Sequence, residues 1–480
     1  MNWQQLISNK RLGQEHRHPK RHDDRTEFKR DYDRLIFSAP FRRLQNKTQV
    51  FPLPGSIFVH NRLTHSLEVA SVGMSLGNDV AQQLIRRHPE LSNTLFAEIG
   101  QIVATACLAH DMGNPPFGHS GEKAIQSFFT EGPGHCLQTE VSPVFWSDIT
   151  HFEGNANAFR LLTHQFEGRR PGGFVMTYST LASIVKYPFS SLAASKKGKF
   201  GFFDTEKALY TRVAEELGLT RKSAEGEPLR YARHPLVWLV EAADDICYEI
   251  MDLEDAHKLK IISYEETSRI LLSFYDEETR QNIQQRIIEE GVTDPNEKVV
   301  YLRACVIGLL ESECVQVFVE HEDEILSGTF EGSLIDHIST LPHEAYRQCS
   351  QLSVERIYRS KPVLDVELSG HGVDVAQVVD LDAVDQDQRT LAVQAQGQLK
   401  PGLVGIIHAG SRLDQESCEL PVEGVGNVRF RAFVKEAGAG GCVDVGPDPE
   451  GIAERDRVQY RRFLGERRGT GEQKRKDDIF

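Results

Sequence analysis

The residues best suited to chemistry crowd into one short stretch, HDMGNPPFGHSGE at 110–122. It combines two histidines, an aspartate and a glutamate with three glycines and a Pro-Pro pair, so these side chains lie on a stiff loop. Imidazole nitrogens and carboxylate oxygens can hold a divalent cation or carry a proton. The stretch therefore predicts a metal centre, an acid–base site, or both, completed by residues from elsewhere in the chain.

Two helical segments direct one histidine each toward the interior. In 95–110 the apolar residues form a stripe that ends at His110, and Gly113 followed by Pro-Pro predicts a left-handed helix stop just beyond it. In 62–85 apolar residues cover most of the helical circumference, and His65 lies among them. Taken singly, each histidine fits ordinary core packing better than a ligand role.

A third helical segment, 235–256, carries a carboxylate on its apolar face. Helical projection places Asp244 inside that face and Asp245 almost opposite. An isolated buried charge is very costly, so Asp244 must be hydrogen-bonded to another helix, ion-paired or metal-bound. Combined with the other inward groups, it gives two nitrogens and two oxygens, which suit Mn²⁺, Fe²⁺, Co²⁺, Ni²⁺ or Zn²⁺ more than Ca²⁺. The members of this donor set are His65, His110, Asp111 and Asp244.

The elements that must position these residues are helices. From about 60 to 370 the hydrophobic period is near 3.6, with short breaks at Gly and Pro, which predicts an all-α body. The chain has 480 residues, of which 40% are hydrophobic, enough to fill a substantial core. Its eight cysteines form no C-x-x-C pair, and neither a signal peptide nor a run of eighteen apolar residues is present. We expect a cytoplasmic protein without a membrane span.

The two ends of the chain differ from this body. Residues 1–60 are rich in Arg, Lys and His and favour a solvated basic N-terminal arm, although the net charge of −15 argues against general nucleic-acid binding. Residues 371–480 hold 15 of the 38 glycines, and aromatic residues are missing between Tyr358 and Phe430. A Gly-rich, poorly ordered tail follows from this composition. Both a frameshift after about Gly370 and a genuine divergent extension would account for it.

Six strings surround the candidate residues in a fixed order. They are KTQVFPL at 47–53, RLTHSLEV at 62–69, HDMGNPPFGHSGE at 110–122, HFEGNANAFRL at 151–161, KYP at 186–188 and EAADDICYEIMDLEDA at 241–256. In order and separation they resemble the HD-domain metal-dependent phosphohydrolases, and among these the deoxyguanosinetriphosphate triphosphohydrolase (dGTPase) family, from about residue 30 to 370. The resemblance implies a catalytic HD-domain helical bundle with additional helices over 61–370.

The resemblance also implies a role for each matched residue. His65, His110, Asp111 and Asp244 would hold Mg²⁺ or Mn²⁺, and His119 with Glu122 would handle protons near the scissile phosphate. From spacing alone, His119 and Glu122 could equally be surface residues on the first turn of a helix. The implied nucleotide-binding residues are Gln49, Arg62, Asn155, Lys186, Tyr187, Tyr248 and Asp252.

The reaction expected from the resemblance is hydrolysis of dGTP, or of other dNTPs, to the deoxynucleoside and inorganic triphosphate. A homo-oligomer is expected if the C-terminal region is competent for assembly. Two alternatives remain open from the residues. One is another HD-type nucleotide phosphohydrolase, a 5'-nucleotidase or phosphodiesterase, and the other is a catalytically silent nucleotide-binding regulator.

Overall fold

The computed structural model describes residues 1–16, 24–47, 49–51, 60–92, 95–167, 171–194, 198–360 and 363, with the backbone of 418–422 and 426–430. The chain divides into two compact units, Met1–Ala383 and Val384–Phe480. In the second unit, β1 (Cys418–Val422) pairs antiparallel with β2 (Gly426–Phe430). The rest of 371–480, where the sequence predicts a poorly ordered or frameshifted tail, lies outside the described residues.

The described part of the first unit is built from helices, which confirms the all-α prediction for this body. The α-helices are α1 (Trp3–Leu6), α2 (Glu27–Ile36), α3 (Ala39–Arg43), α4 (Arg62–Arg87), α5 (Ile99–Ala109), α6 (Gly118–Thr130), α7 (Pro143–Thr150), α8 (Gly154–Thr163), α9 (Tyr178–Ile184), α10 (Asp204–Glu216), α11 (Leu236–Lys258), α12 (Tyr264–Leu272), α13 (Glu277–Glu289), α14 (Pro295–Glu320), α15 (Glu322–Ser327) and α16 (Thr340–Leu352). Short 3₁₀ turns lie at Leu44–Asn46, Pro89–Leu91, Leu95–Glu98, Pro133–Thr139, Ser191–Ala193 and Ile335–His337, and a π-helical turn at Ser353–Ile357.

Helices α4, α5 and α11 pack against one another, and α14 packs on α4 and α11. A reciprocal capping box starts α4, because Asn61 Oδ1 accepts from the Thr64 amide at 3.0 Å and Thr64 Oγ1 accepts from the Asn61 amide at 3.1 Å. Pro235 stands at the start of α11, where a missing amide hydrogen costs nothing. The three mutually packed helices are those predicted to carry the donor set.

Helix α5 is the centre of the core, because each of its residues except Gln101 is buried. Its approach to α4 is very close: a Cβ at Gly77 would lie 2.7 Å from the Cα of Gly100. The first turn of the segment predicted as one helix, 95–110, is the 3₁₀ turn Leu95–Glu98. Within the described ranges, every helix is too short or too polar to cross a membrane.

The described N-terminal residues contribute to the core of the first unit. Arg11 is 5% exposed and donates to Glu27 Oε2 and Asp31 Oδ1, each at 2.5 Å. Trp3 Nε1 donates to Glu322 Oε1 at 2.7 Å. Arg11 is thus buried where the sequence favours solvent exposure, because Glu27 and Asp31 of α2 neutralise its charge. The assignment of 1–60 as a separate N-terminal arm stays a prediction.

Candidate functional site

The four residues of the predicted donor set converge in the structure. Ligand atoms of His65, His110 and Asp111 all lie within 4.8 Å of one another, a group able to hold a metal ion. Asp244 Oδ1 lies 3.1 Å from His65 Nε2 and 3.5 Å from His110 Nε2. Helix α4 supplies the first histidine, the end of α5 supplies the His-Asp pair, and α11 supplies the second carboxylate.

His110 shows how this group fits a cation. Its Nδ1 lies 2.6 Å from the carbonyl oxygen of Cys107, which can only accept, so Nδ1 donates there and Nε2 is the nitrogen that faces the carboxylates. Nε2 is buried and has no hydrogen-bond partner among the described residues. Burial lowers the pKa of His110, but Asp111 and Asp244 outweigh it and raise that pKa to about 9. The cluster therefore attracts positive charge at Nε2, which a divalent cation would supply.

Asp111 is held from both sides. Arg62 Nη1 donates to its Oδ2 at 2.5 Å, and Asn114 Nδ2 donates to its Oδ1 at 2.5 Å. Burial would raise the pKa of this carboxyl, but Arg62 and then His110 lower it below its usual value. Sequence reasoning did not select Asn114, although its position three residues after the aspartate suits a side-chain contact within one turn.

The loop after α5 differs from the sequence prediction in its conformation. Gly113 does not adopt a left-handed conformation; the positive φ angles fall on Phe117 (65°) and Gly118 (55°). What Gly113 provides is a close approach to α8, because a Cβ there would lie 2.0 Å from the carbonyl oxygen of Gly154. The helix ends before Gly113 as predicted, but the left-handed conformation predicted for Gly113 is wrong: that residue is required for packing, and the left-handed turn comes at Phe117 and Gly118.

His119 and Glu122 lie together on the first turn of α6. His119 Nδ1 is 2.7 Å from Glu122 Oε2, and Glu122 Oε1 accepts from the amide of Gly154 at 2.8 Å. The imidazole side chain is 76% exposed and the carboxylate 6%. An exposed imidazole that is oriented through Nδ1 by a buried carboxylate can exchange a proton at Nε2.

A second pair of charges supports this dyad and was not found from the sequence. Lys199 Nζ lies 2.7 Å from Glu153 Oε2 and 3.6 Å from Glu122 Oε2. Burial raises the pKa of Glu122, but the hydrogen bond from His119 and the charge of Lys199 lower it overall. Asn155 Nδ2 donates to Glu153 Oε1 at 2.5 Å, so this predicted nucleotide residue belongs to the same network.

Lys186 is ion-paired in this structure. Its Nζ lies 3.0 Å from Glu241 Oε1, while Arg233 Nη1 lies 2.8 Å from the other oxygen of the same carboxylate. Burial would lower the pKa of Lys186, but Glu241 raises it above its usual value. The ammonium also lies 6.0 Å from the ring centre of Tyr187, its predicted neighbour.

Two further predicted residues follow Asp244 along α11. The ring centre of Tyr248 lies 6.4 Å from that of His65 and 5.8 Å from that of Tyr358. Asp252 is buried and accepts a hydrogen bond from the Tyr358 hydroxyl at 2.9 Å, and burial raises the pKa of this carboxyl. Tyr358 was not selected from the sequence, because nothing local marks it.

Gln49 stands apart from these networks. Its Oε1 is buried and has no hydrogen-bond partner in the described part of the chain. An unpaired buried carbonyl oxygen is costly, so this atom is suited to receive a hydrogen bond from a ligand.

Comparison with known proteins gives consistent results. The HD-domain family profile matches residues 62–167. A deoxyguanosinetriphosphate triphosphohydrolase-like protein from Synechocystis sp. is 40% identical over 384 residues, covering 78% of this chain and 84% of the relative. A protein with the same name from Pseudomonas aeruginosa is 40% identical over 373 residues, which cover 75% of this chain and 80% of the relative. A deoxyguanosinetriphosphate triphosphohydrolase from Yersinia enterocolitica is 30% identical over 394 residues, with 72% and 74% covered.

Proposed function

Because this chain belongs to the deoxyguanosinetriphosphate triphosphohydrolase family of HD-domain proteins, we propose that it hydrolyses dGTP to deoxyguanosine and inorganic triphosphate. Membership of the family makes it a metal-dependent phosphohydrolase. The structural observation that carries the proposal is the buried Nε2 of His110, which forms no hydrogen bond among the described residues and faces the carboxylates of Asp111 and Asp244 at 3.6 and 3.5 Å.

The cation would be held by His65, His110, Asp111 and Asp244. Two imidazoles with two carboxylates suit a transition-metal ion such as Mn²⁺, and Mg²⁺ is the second candidate. When bound, such an ion polarises a phosphoryl oxygen and lowers the pKa of a coordinated water. Arg62, which holds Asp111 Oδ2 at 2.5 Å, would keep that ligand oriented.

The nucleotide would extend along α11. Asp244, Tyr248 and Asp252 follow one another at four-residue spacing, so they share one face of the helix. We assign Tyr248 and Asp252 to the deoxyribose, because a phenol and a carboxyl can hydrogen-bond its hydroxyl group. We assign Lys186 and Arg62 to the triphosphate. Lys186 is paired with Glu241, which precedes Asp244 on α11.

Asn155, Tyr187 and Gln49 complete the proposed substrate site. Asn155 is joined through Glu153 to Lys199, so it lies beside the dyad. Tyr187 offers a flat wall against the sugar or phosphates. Gln49 offers a buried carbonyl oxygen, which can accept a hydrogen bond from the nucleotide.

The proton chemistry would fall to His119 and Glu122. Water would attack the α-phosphorus and release one proton to solvent, and the bond from that phosphorus to the 5'-oxygen would break. Protonated His119 gives its Nε2 proton to the departing 5'-oxygen, while Glu122, 2.7 Å from Nδ1, keeps the ring oriented and stabilises its charged form. General acid catalysis of this kind contributes about 10²–10⁴-fold to a rate.

The test is incubation with each of the four dNTPs and Mn²⁺ or Mg²⁺, with triphosphate, pyrophosphate and phosphate separated by ion exchange. We expect dGTP to yield intact triphosphate. Release of pyrophosphate or phosphate instead would assign the chain to another kind of nucleotide hydrolase and contradict the proposal.

A matched pair of variants tests the metal group. Asp244→Asn should lower kcat/KM at least about 100-fold, since it removes one charged ligand. Asp245→Asn is the control, because it makes the same chemical change at the next residue of α11, which is outside the proposed donor set. Equal rates for Asp244→Asn and the native protein would refute the proposed centre.

A further inference from the structure

We propose that Gly118 is a positioning residue for Arg62, and that its missing side chain keeps the guanidinium in place beside Asp111. This inference rests on the proposed function, in which Arg62 addresses the triphosphate. A Cβ built on Gly118 would lie 2.6 Å from Arg62 Nη2 and 3.7 Å from Arg62 Cζ. Non-bonded carbon and nitrogen atoms do not approach to 2.6 Å, so any other residue at 118 must displace the guanidinium or the turn.

The guanidinium has little freedom to retreat. Arg62 is 8% exposed, its Nη1 donates to Asp111 Oδ2 at 2.5 Å, and its Nε is buried without a hydrogen-bond partner among the described residues. Its backbone is fixed as well, because its amide donates to the carbonyl oxygen of Lys47 and its carbonyl accepts from Ser66 Oγ. Displacement by a new methyl group would therefore break the contact with Asp111.

The same turn also places the imidazole of the dyad. Phe117 and Gly118 adopt consecutive left-handed conformations, with φ of 65° and 55°, and His119 follows directly on α6. Gly118 thus meets two separate requirements: a positive φ and an empty space above its Cα. The first is a property of the backbone, and the second concerns Arg62 alone.

Two substitutions separate these requirements. Asparagine tolerates the left-handed conformation better than alanine, so Gly118→Asn should retain more thermal stability than Gly118→Ala. Both carry a Cβ at the same place, set by the backbone. If displacement of Arg62 causes the loss of activity, both variants should lower kcat/KM about 100-fold, and the asparagine variant should lose at least as much as the alanine variant. Backbone strain alone predicts the reverse order, with the asparagine variant more active.

Arg62→Ala supplies the second arm of the experiment. In that background the Cβ at 118 no longer meets a guanidinium, so Gly118→Asn, which tolerates the positive φ, should lower kcat/KM by a much smaller factor than it does in the presence of Arg62. The loss in melting temperature should persist in both backgrounds, because it reflects the backbone. An equal fold-loss of kcat/KM with and without Arg62, or a fully active Gly118→Asn protein, would overturn the proposal.

A structural readout keeps this test independent of the proposed function. A crystal structure of the Gly118→Asn protein should show Arg62 Nη1 moved away from Asp111 Oδ2, and an unchanged contact would overturn the inference. Native protein that releases no triphosphate from any dNTP would count against the proposed function, whereas the position of Arg62 in the variant would still decide the role of Gly118.

Discussion

His60 links α4 to α11, the helices that carry His65 and Asp244 of the donor set, and the charge of His60 makes that link sensitive to pH. It lies just before α4, its Nδ1 is 2.7 Å from Asp255 Oδ2 on α11, and its Nε2 is 3.0 Å from Glu68 Oε1. Burial would lower the pKa of His60, but the hydrogen bonds and charges of Asp255 and Glu68 raise it from 6.5 to about 10. The folded protein therefore binds a proton that the unfolded chain releases at neutral pH.

The size of the effect follows from these two pKa values. A group whose pKa is raised on folding stabilises fully below its unfolded pKa, and the stabilisation is lost as pH rises toward the folded pKa. Between 6.5 and 10 the contribution of His60 to the free energy of unfolding declines, from about 4 kcal/mol at pH 7 to about 1.5 kcal/mol at pH 9. We expect a loss of about 2–3 kcal/mol over the interval from pH 7 to pH 9 from His60 alone.

Urea unfolding followed by circular dichroism at pH 7 and pH 9 measures this loss. The His60→Gln protein, which carries no titrating group at this position, should be less stable at pH 7 and should lose about 2–3 kcal/mol less than the native protein on going to pH 9. The same pH-dependent loss in both proteins would refute the assignment of the proton to His60. The Lys10 and Glu216 pair, 2.8 Å apart and more exposed, offers a control through Glu216→Gln, which should leave the pH dependence unchanged.

Two further predictions concern buried carboxylates. Burial raises the pKa of Asp148 to about 6, despite the amide of Asp204 donating to its Oδ2 at 2.8 Å. The native protein therefore loses stability as pH rises from the unfolded pKa near 3.8 through 6. Asp148→Asn, which keeps an acceptor oxygen, should be about 2–3 kcal/mol more stable than the native protein at pH 7 and differ little from it near pH 3.5. Urea unfolding at both pH values measures this difference, and a variant less stable than the native protein at pH 7 would contradict it. Glu122→Gln should lower kcat for dGTP about 100-fold and change KM less than about threefold, because it acts on the orientation and charge of His119; a raised KM with native kcat would show instead that Glu122 serves binding.

Helical periodicity was sufficient to predict the fold and the inward direction of several side chains. The projection placed His110 and Asp244 on apolar faces, and the structure brings His110 Nε2 and Asp244 Oδ1 to 3.5 Å. A stripe of period 3.6 specifies which side of a helix is buried, and three such helices around one core leave few arrangements for the polar exceptions. The role of these residues as metal ligands, the cytoplasmic location and the oligomeric state stay predictions.

The supporting contacts could not be predicted in the same way. Lys199 reaches Glu153 from a loop, and no periodic pattern specifies where a loop side chain goes. The burial of Arg11 could not be predicted for a related reason: charge composition favours solvent exposure, but Arg11 pairs with Glu27 and Asp31 on a later helix. In both cases the deciding fact is the identity of a distant partner, which local sequence does not contain.

The contact of Gly77 with Gly100 has a consequence for the spacing of the two imidazoles. Where α4 meets α5 at these glycines, the two main chains are in direct contact, and the Asn78 side chain fills the space beside Gly100, so the separation of the helices is fixed at this point. His65 lies on α4, and His110 follows the last residue of α5. Exchange of aliphatic residues elsewhere in the core can alter stability while the gap between His65 and His110 keeps its width.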